Sequence, residues 1–197
     1  MASVTTYDER TALVVVDVQN DFADPAGSLS VAGGETVISR INDEVARAVE
    51  AGAVVVYTQD WHPEVTPHFA RDGGIWPVHC VAGTWGAELH PALRVEGERV
   101  RKGTGGEDGY SGFTMRDPVS GEESATPLEP LLRERGIKRL VVGGLATDYC
   151  VRATVLDALR LGFATSLLTD AIAAVDLQPQ DGERAIAEML EAGAGAA

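Results

Sequence analysis

The feature that most limits what this chain can fold into is its alternation of short β-branched apolar runs with segments of helical period. Ala12-Leu-Val-Val-Val16 and Ala53-Val-Val-Val-Tyr57 are unbroken apolar stretches of strand length, rich in side chains that pack on a pleated surface. Between them Ile38, Ile41, Val45, Ala48 and Val49 recur at helical spacing and stop at Gly52, a helix with one apolar face and a glycine terminator. The pattern then repeats. Glu98-Arg-Val-Arg101 reads as a weak third strand. Thr126-Pro-Leu-Glu129 opens a helix, with Thr as cap, Pro at the first helical position and Glu three residues after the cap, and that helix ends near Gly136. Arg139-Leu-Val-Val142 is a fourth strand, Val151, Val155, Ala158 and Leu159 mark a helix closed by Gly162, and Thr165-Ser-Leu-Leu168 is a fifth strand. A last helix runs from about Gln180 to Leu190. Strands that are apolar on both faces and alternate with helices predict an α/β fold, a doubly wound, mostly parallel sheet with helices on both faces. No linker divides the 197 residues, so one domain is expected. Residues 1–9 and the tail Glu191-Ala-Gly-Ala-Gly-Ala-Ala197 read as loose ends, the tail being poor strand material.

Composition narrows the function by exclusion. A formal net charge of −14 repels phosphate backbones and anionic lipid, so neither nucleic acid nor membrane is an expected partner. The first ten residues lack a basic region followed by an apolar stretch, and no apolar run approaches a membrane span. Two cysteines far apart in sequence are not a disulfide framework, which makes the cytoplasm the default compartment.

In an open parallel sheet, ligands bind beyond the carboxyl ends of the strands. The polar residues that leave the strands form a set: Asp17 after the first, Asp60 and His62 after the second, Lys102 after the third, and Cys150 at the start of the helix after the fourth. Cys150 is the candidate nucleophile. A helix N-terminus, with Thr147 or Asp148 as cap, and a nearby ammonium would both favour its thiolate. Asp17, a carboxylate ending an apolar strand, should have a raised pKa and suits a proton shuttle. Taken singly, each has a plainer reading: a buried apolar cysteine, a turn carboxylate, a solvated lysine. Their convergence at one sheet edge favours chemistry.

Asp60-x-His62, followed by His68 and His79, gathers three of the four histidines beside an aspartate. At an extended strand end, residues i and i+2 point the same way. Neutral imidazoles with a carboxylate suit a divalent metal, Zn or Fe, with Mn also compatible. The plainer reading is scattered loop histidines. His90 has no partner at useful spacing and reads as structural, Cys80 as core, and Asp21 and Asp24 as turn and surface groups. Phe22, Trp61, Trp76, Trp85 and Tyr110 lie in or beside the active-edge loops, and residues 61–97 form a long irregular excursion of the kind that is usually functional.

Val16-Asp-Val-Gln-Asn-Asp-Phe22, Gln59-Asp-Trp-His62 with His68, Trp76-Pro-Val-His-Cys-Val-Ala-Gly-Thr84, Lys102-Gly103, Tyr110-Ser-Gly-Phe113 and Gly144-Leu-Ala-Thr-Asp-Tyr-Cys-Val-Arg152 together resemble the nicotinamidase branch of the isochorismatase-like hydrolases. The resemblance spans about Leu13 to Leu190. It implies a catalytic triad of Asp17, Lys102 and Cys150, and a metal held by Asp60, His62 and His68, with His79 as a fourth ligand in some members. It implies a cis peptide before Ala146 and an oxyanion hole from the Ala146 and Cys150 N–H groups. Phe22, Trp76, Tyr110 and Leu145 fall at substrate-contacting positions, and the ring nitrogen of the substrate would bind the metal. The implied substrate is a small amide, nicotinamide, with pyrazinamide as a second. A homo-oligomer is compatible with this reading. Two other readings remain open: an amidohydrolase of the same superfamily acting on another small amide, and a non-catalytic module that binds nicotinamide or metal.

Overall fold

The computed structural model describes residues 6–197. Its elements, in chain order, are β1 (Thr11–Val16), α1 (Asn20–Ala23), α2 (Val37–Glu50), β2 (Val54–Asp60), β3 (Glu98–Lys102), β4 (Thr114–Arg116), β5 (Glu123–Ala125), α3 (Leu128–Glu134), β6 (Arg139–Leu145), α4 (Arg152–Arg160), β7 (Ala164–Ala173), α5 (Asp181–Glu191) and β8 (Gly195–Ala196). Six strands form one sheet in the order β3-β2-β1-β6-β7-β8, every pair parallel. β4 and β5 form a separate antiparallel hairpin.

The sheet is covered on both faces, which is why its strands read as continuous apolar runs. All six residues of β1 are buried. Its side chains alternate: Leu13 and Val15 join Ile38, Ile41 and Val45 of α2 on one face, whereas Ala12, Val14 and Val16 join Leu128, Leu132, Val155 and Met189 of α3, α4 and α5 on the other. Ile41 and Val45 are wholly excluded from water, each worth about 1.5–3 kcal/mol in burial.

Three sequence expectations change. β2 runs on to Asp60 and β3 to Lys102, so these two residues close their strands and sit abreast in the β2–β3 register. The tail is not loose. The Gly195 and Ala196 pair of β8 lies against Ser166 and Leu167, and the Ala197 N–H donates to the Leu167 carbonyl at 2.9 Å. Propensity failed there because an edge strand this short is held by main-chain hydrogen bonds, which any residue but proline can make. Of the nine N-terminal residues expected to be loose, residues 1–5 lie outside the described residues, but Tyr7 is buried and its hydroxyl donates to Glu44 Oε2 at 2.9 Å. The 61–97 excursion holds only two short 3₁₀ turns, at Ala70–Asp72 and Trp85–Ala87.

Candidate active site

The carboxyl ends of β1, β2, β3 and β6 bring Asp17, Asp60, Lys102 and Cys150 to one point. Asp17 is the first residue after β1, in left-handed backbone at φ 48°, and is fully buried. Thr58, on the neighbouring strand, donates its hydroxyl to Asp17 Oδ1 at 2.6 Å, and Lys102 Nζ lies 2.7 Å from Oδ2. Burial pushes the Asp17 carboxyl up to about 6, against the downward pull of the Lys102 ammonium.

Lys102 is not the solvated strand-end lysine of the plainer reading. It is wholly buried. Its ammonium ion-pairs with Asp17 and Asp60, donates to the Gly109 carbonyl, and stands 3.6 Å from Cys150 Sγ. Burial alone would lower its pKa, but the two carboxylates outweigh that and hold it well above the usual lysine value. Asp17, Asp60 and Cys150 present ligand-type atoms within 4.8 Å of one another, and the cation among them is this ammonium.

Cys150 lies in a π-type turn over Thr147–Val151, defined by the Val151 N–H reaching back to the Ala146 carbonyl. Such turns recur at functional sites. No side chain caps this helix start. Asp148 instead accepts the Val175 and Asp176 N–H groups, both at 2.9 Å, tying the nucleophile turn to the loop after β7. The expected depressed thiol pKa is not what the site produces. Burial raises it well above the ordinary value, and although Lys102 lowers it, Asp17 and Asp60 raise it further. The resting group is a thiol beside a buried base. The Leu145–Ala146 peptide is cis, as the resemblance implied.

One step away, His62, His68 and His79 place ring nitrogens within 4.8 Å of one another, all buried. Asp60 joins the two clusters: one oxygen faces Lys102, and the other lies 3.8 Å from His62 Nε2 and 3.9 Å from His79 Nε2. Burial would raise the Asp60 carboxyl, but Lys102 and the imidazoles hold it far below the carboxylate range. Burial also brings His79 down to about 4, a neutral ligand-type imidazole. Its Nδ1 lies 2.7 Å from the Pro77 carbonyl, which leaves Nε2 for another partner. Both nitrogens of His62 are buried without a hydrogen-bond partner. A buried orphan nitrogen costs about 1–3 kcal/mol, and a divalent ion against three imidazoles and a carboxylate removes that cost for one of them. The donor set fits a divalent metal.

Beside both clusters opens a pocket of about 390 Å³, its open mouth included, walled by Phe22, Leu29, Trp76, Tyr110, Tyr149 and Val175, with Cys150 and His68 at its polar end. Trp76 Nε1 donates to the Tyr110 hydroxyl at 2.8 Å, and Trp76 meets Tyr149 edge to face at 4.8 Å. Phe22, Trp76 and Tyr110 line it. Leu145 does not: it is fully buried in the core beneath the site, because strand alternation turns its side chain toward α2. Trp61 instead stacks under the Arg101 guanidinium at 3.6 Å, and Trp85 is exposed. Asp21 is a buried strut, not a surface group. It accepts the Cys80 and Ser28 N–H groups at 2.7 and 3.0 Å. His90 and Cys80 are structural, His90 lying 3.7 Å from Asp24 and Cys80 in the core.

Sequence reasoning missed Thr58, Gly109, Leu29, Tyr149, Val175 and the Gln19 side chain. Gln19 accepts the Asp60 N–H and donates to the Asp60 and Ala87 carbonyls, each at 2.8 Å, fixing the shared carboxylate from behind. Of these, Gln19 and Tyr149 stand inside recognised motifs and Gly109 directly precedes one; Thr58, Leu29 and Val175 carried no such local signal.

Fold and site together define a hydrolase of the α/β class with a buried acid, ammonium and thiol beside a histidine cluster. The chain belongs to the isochorismatase family, whose domain model matches residues 11–196. It is 38% identical over 201 residues to a nicotinamidase of Escherichia coli, covering 93% of this chain and 92% of that one. The pyrazinamidase of Pyrococcus horikoshii, solved in complex with zinc, superposes with a TM-score of 0.85 at 42% identity, over 95% of this chain and 98% of that one. PnC1 of L. infantum, solved with nicotinate, does so at 0.86 and 38% identity, over 98% and 95%.

Proposed function

We infer that this protein is an amidohydrolase that cleaves nicotinamide to nicotinate and ammonia, with pyrazinamide as a second substrate, and so serves NAD salvage. The observation that carries the reading is a buried thiol 3.6 Å from an ammonium that is itself paired with a carboxylate whose pKa is raised to about 6, at the end of an aromatic pocket. Supporting it are the relatives: a nicotinamidase, a zinc-bound pyrazinamidase and a nicotinate-bound homologue.

In this reading Asp17 takes the Cys150 proton, and the thiolate attacks the carboxamide carbon. Lys102 holds Asp17 in place and steadies the growing negative charge. The Ala146 and Cys150 N–H groups receive the oxyanion; one such donor is worth about 3 kcal/mol of barrier. Asp17 then hands its proton to the departing ammonia, leaving a thioester, and activates the water that hydrolyses it to the carboxylate and free thiol. Asp60, His62, His68 and His79 would hold the divalent ion, zinc or iron, which when bound supplies a Lewis-acid anchor for the ring nitrogen. Phe22, Trp76 and Tyr110 sandwich the ring, so that orientation is fixed before attack. A reducing compartment, the cytoplasm, suits an enzyme that needs a free thiol.

The test is ammonia release from nicotinamide, compared with carbamoyl and aliphatic amides. Turnover confined to the latter would move the chain to another amide within the same family, and binding without ammonia release would leave only a sensor.

A further inference from the structure

The three histidines of the cluster are aimed in three different ways. His79 has a neutral carbonyl behind its Nδ1, and His62 has nothing. His68 has a carboxylate: Asp108 Oδ1 lies 2.6 Å from its Nδ1. Among the described residues Asp108 forms no ion pair with any arginine or lysine, and its side chain is only 24% exposed while the His68 ring is 3% exposed. An acidic side chain this sheltered, set against an imidazole and no arginine or lysine, calls for an explanation.

Asp108 is also held from its own side. Its N–H and carbonyl pair with Arg116 at 2.8 and 3.0 Å, so the inner strand of the β4–β5 hairpin grips it. A second stitch joins the same two loops: Thr66 donates its hydroxyl to the Gly106 carbonyl at 2.6 Å and accepts the His68 N–H at 3.1 Å. Backbone and side chain of His68 are thus both fixed from the 103–108 loop.

We propose that Asp108 is a positioning residue for the metal: by accepting the His68 Nδ1–H it fixes the tautomer that leaves Nε2 as the donor and holds that ring in place. The physical ground is general. A carboxylate behind a ligating imidazole restricts ring rotation and raises ligand basicity, and its loss typically costs about 10- to 100-fold in metal affinity. The inference rests on the metal reading of the three-histidine cluster.

The experiment is zinc competition between the full chain and a chromophoric chelator, for wild type, Asp108→Ala and Asp108→Asn, with melting of each metal-free protein alongside. Asp108→Ala is expected to bind zinc about 10- to 100-fold more weakly at an unchanged metal-free melting temperature. Asp108→Asn, which keeps an oxygen facing Nδ1, should recover part of the loss. A smaller change in Asp108→Ala, a loss that tracks a falling melting temperature, or an Asn variant no better than Ala overturns the proposal. If wild type itself takes no zinc, the metal reading falls and Asp108's role with it; wild type and Asp108→Ala binding equally well overturns Asp108 alone.

Discussion

Lys102 is the residue on which the site turns. Burying an ammonium is tolerable only beside opposite charge and full hydrogen bonding, and two carboxylates and a carbonyl meet that condition. Lys102→Met should therefore destabilise the chain by about 3–5 kcal/mol, the cost of orphaning buried carboxylates, as read in urea unfolding. Cys150→Ala should abolish turnover, by at least about 10³-fold, while divalent-metal content measured by mass spectrometry stays that of wild type, because the sulfur lies outside the histidine cluster. In the proposed mechanism Asp17 sets the pH response. Its carboxyl, raised to about 6 by burial, must be ionised to accept the thiol proton, so kcat/KM should fall about tenfold per unit as pH drops below that value and level off above it. A flat profile down to pH 4 would remove Asp17 as the base. At this scale the sequence announced Asp17, Cys150 and the histidines through their types and spacing. It concealed Thr58 and Asp108, because each acts through a partner about 40 positions away, and nothing local to such a residue marks it.

At the scale of elements, legibility followed burial. β1, β2 and β6 are apolar throughout, and their runs are unmistakable. β4 and β5 are short and largely exposed, so no alternation betrays them, and β8 has no side chains worth reading. Helix α3 was foreseen from its first turn, with two changes: it begins at Leu128 with Pro127, not Thr126, at the cap position, and one partner differs. Thr126 does accept the Leu128 N–H, at 3.1 Å, and donates to the Gly112 carbonyl, but Glu129 pairs with Arg133 and does not reach back. Thr126→Ala should cost about 1–2 kcal/mol, read as a fall of a few degrees in Tm, with kcat untouched at temperatures below unfolding. The mutual reach of β6 and β1 is set by Gly144: at φ 121°, with a Cβ there only 2.1 Å from the Val16 carbonyl, no larger residue fits where the chain turns into the nucleophile loop.

For the whole molecule, the parallel order was predictable from alternation alone, but the pocket was not, since its walls come from five separate stretches that only folding assembles. A ligand that binds only the folded state stabilises it by mass action. Zinc at about 100 times its Kd should add about 2.7 kcal/mol to unfolding free energy, and stripping it with a chelator should lower Tm accordingly; a Tm indifferent to zinc would contradict a site built by the fold. Among the described residues no helix is long and apolar enough to cross a membrane, and the charge of −14 adds solubility in water. The hairpin that grips Asp108 has one more property. Its tip carries Val119, 80% exposed, well outside the sheet. A fluorophore attached there would sit clear of the chemistry yet be wired through Arg116 and Asp108 to His68, which, on the metal reading proposed above, makes that loop the natural handle for turning this hydrolase into an optical gauge of its own metal loading.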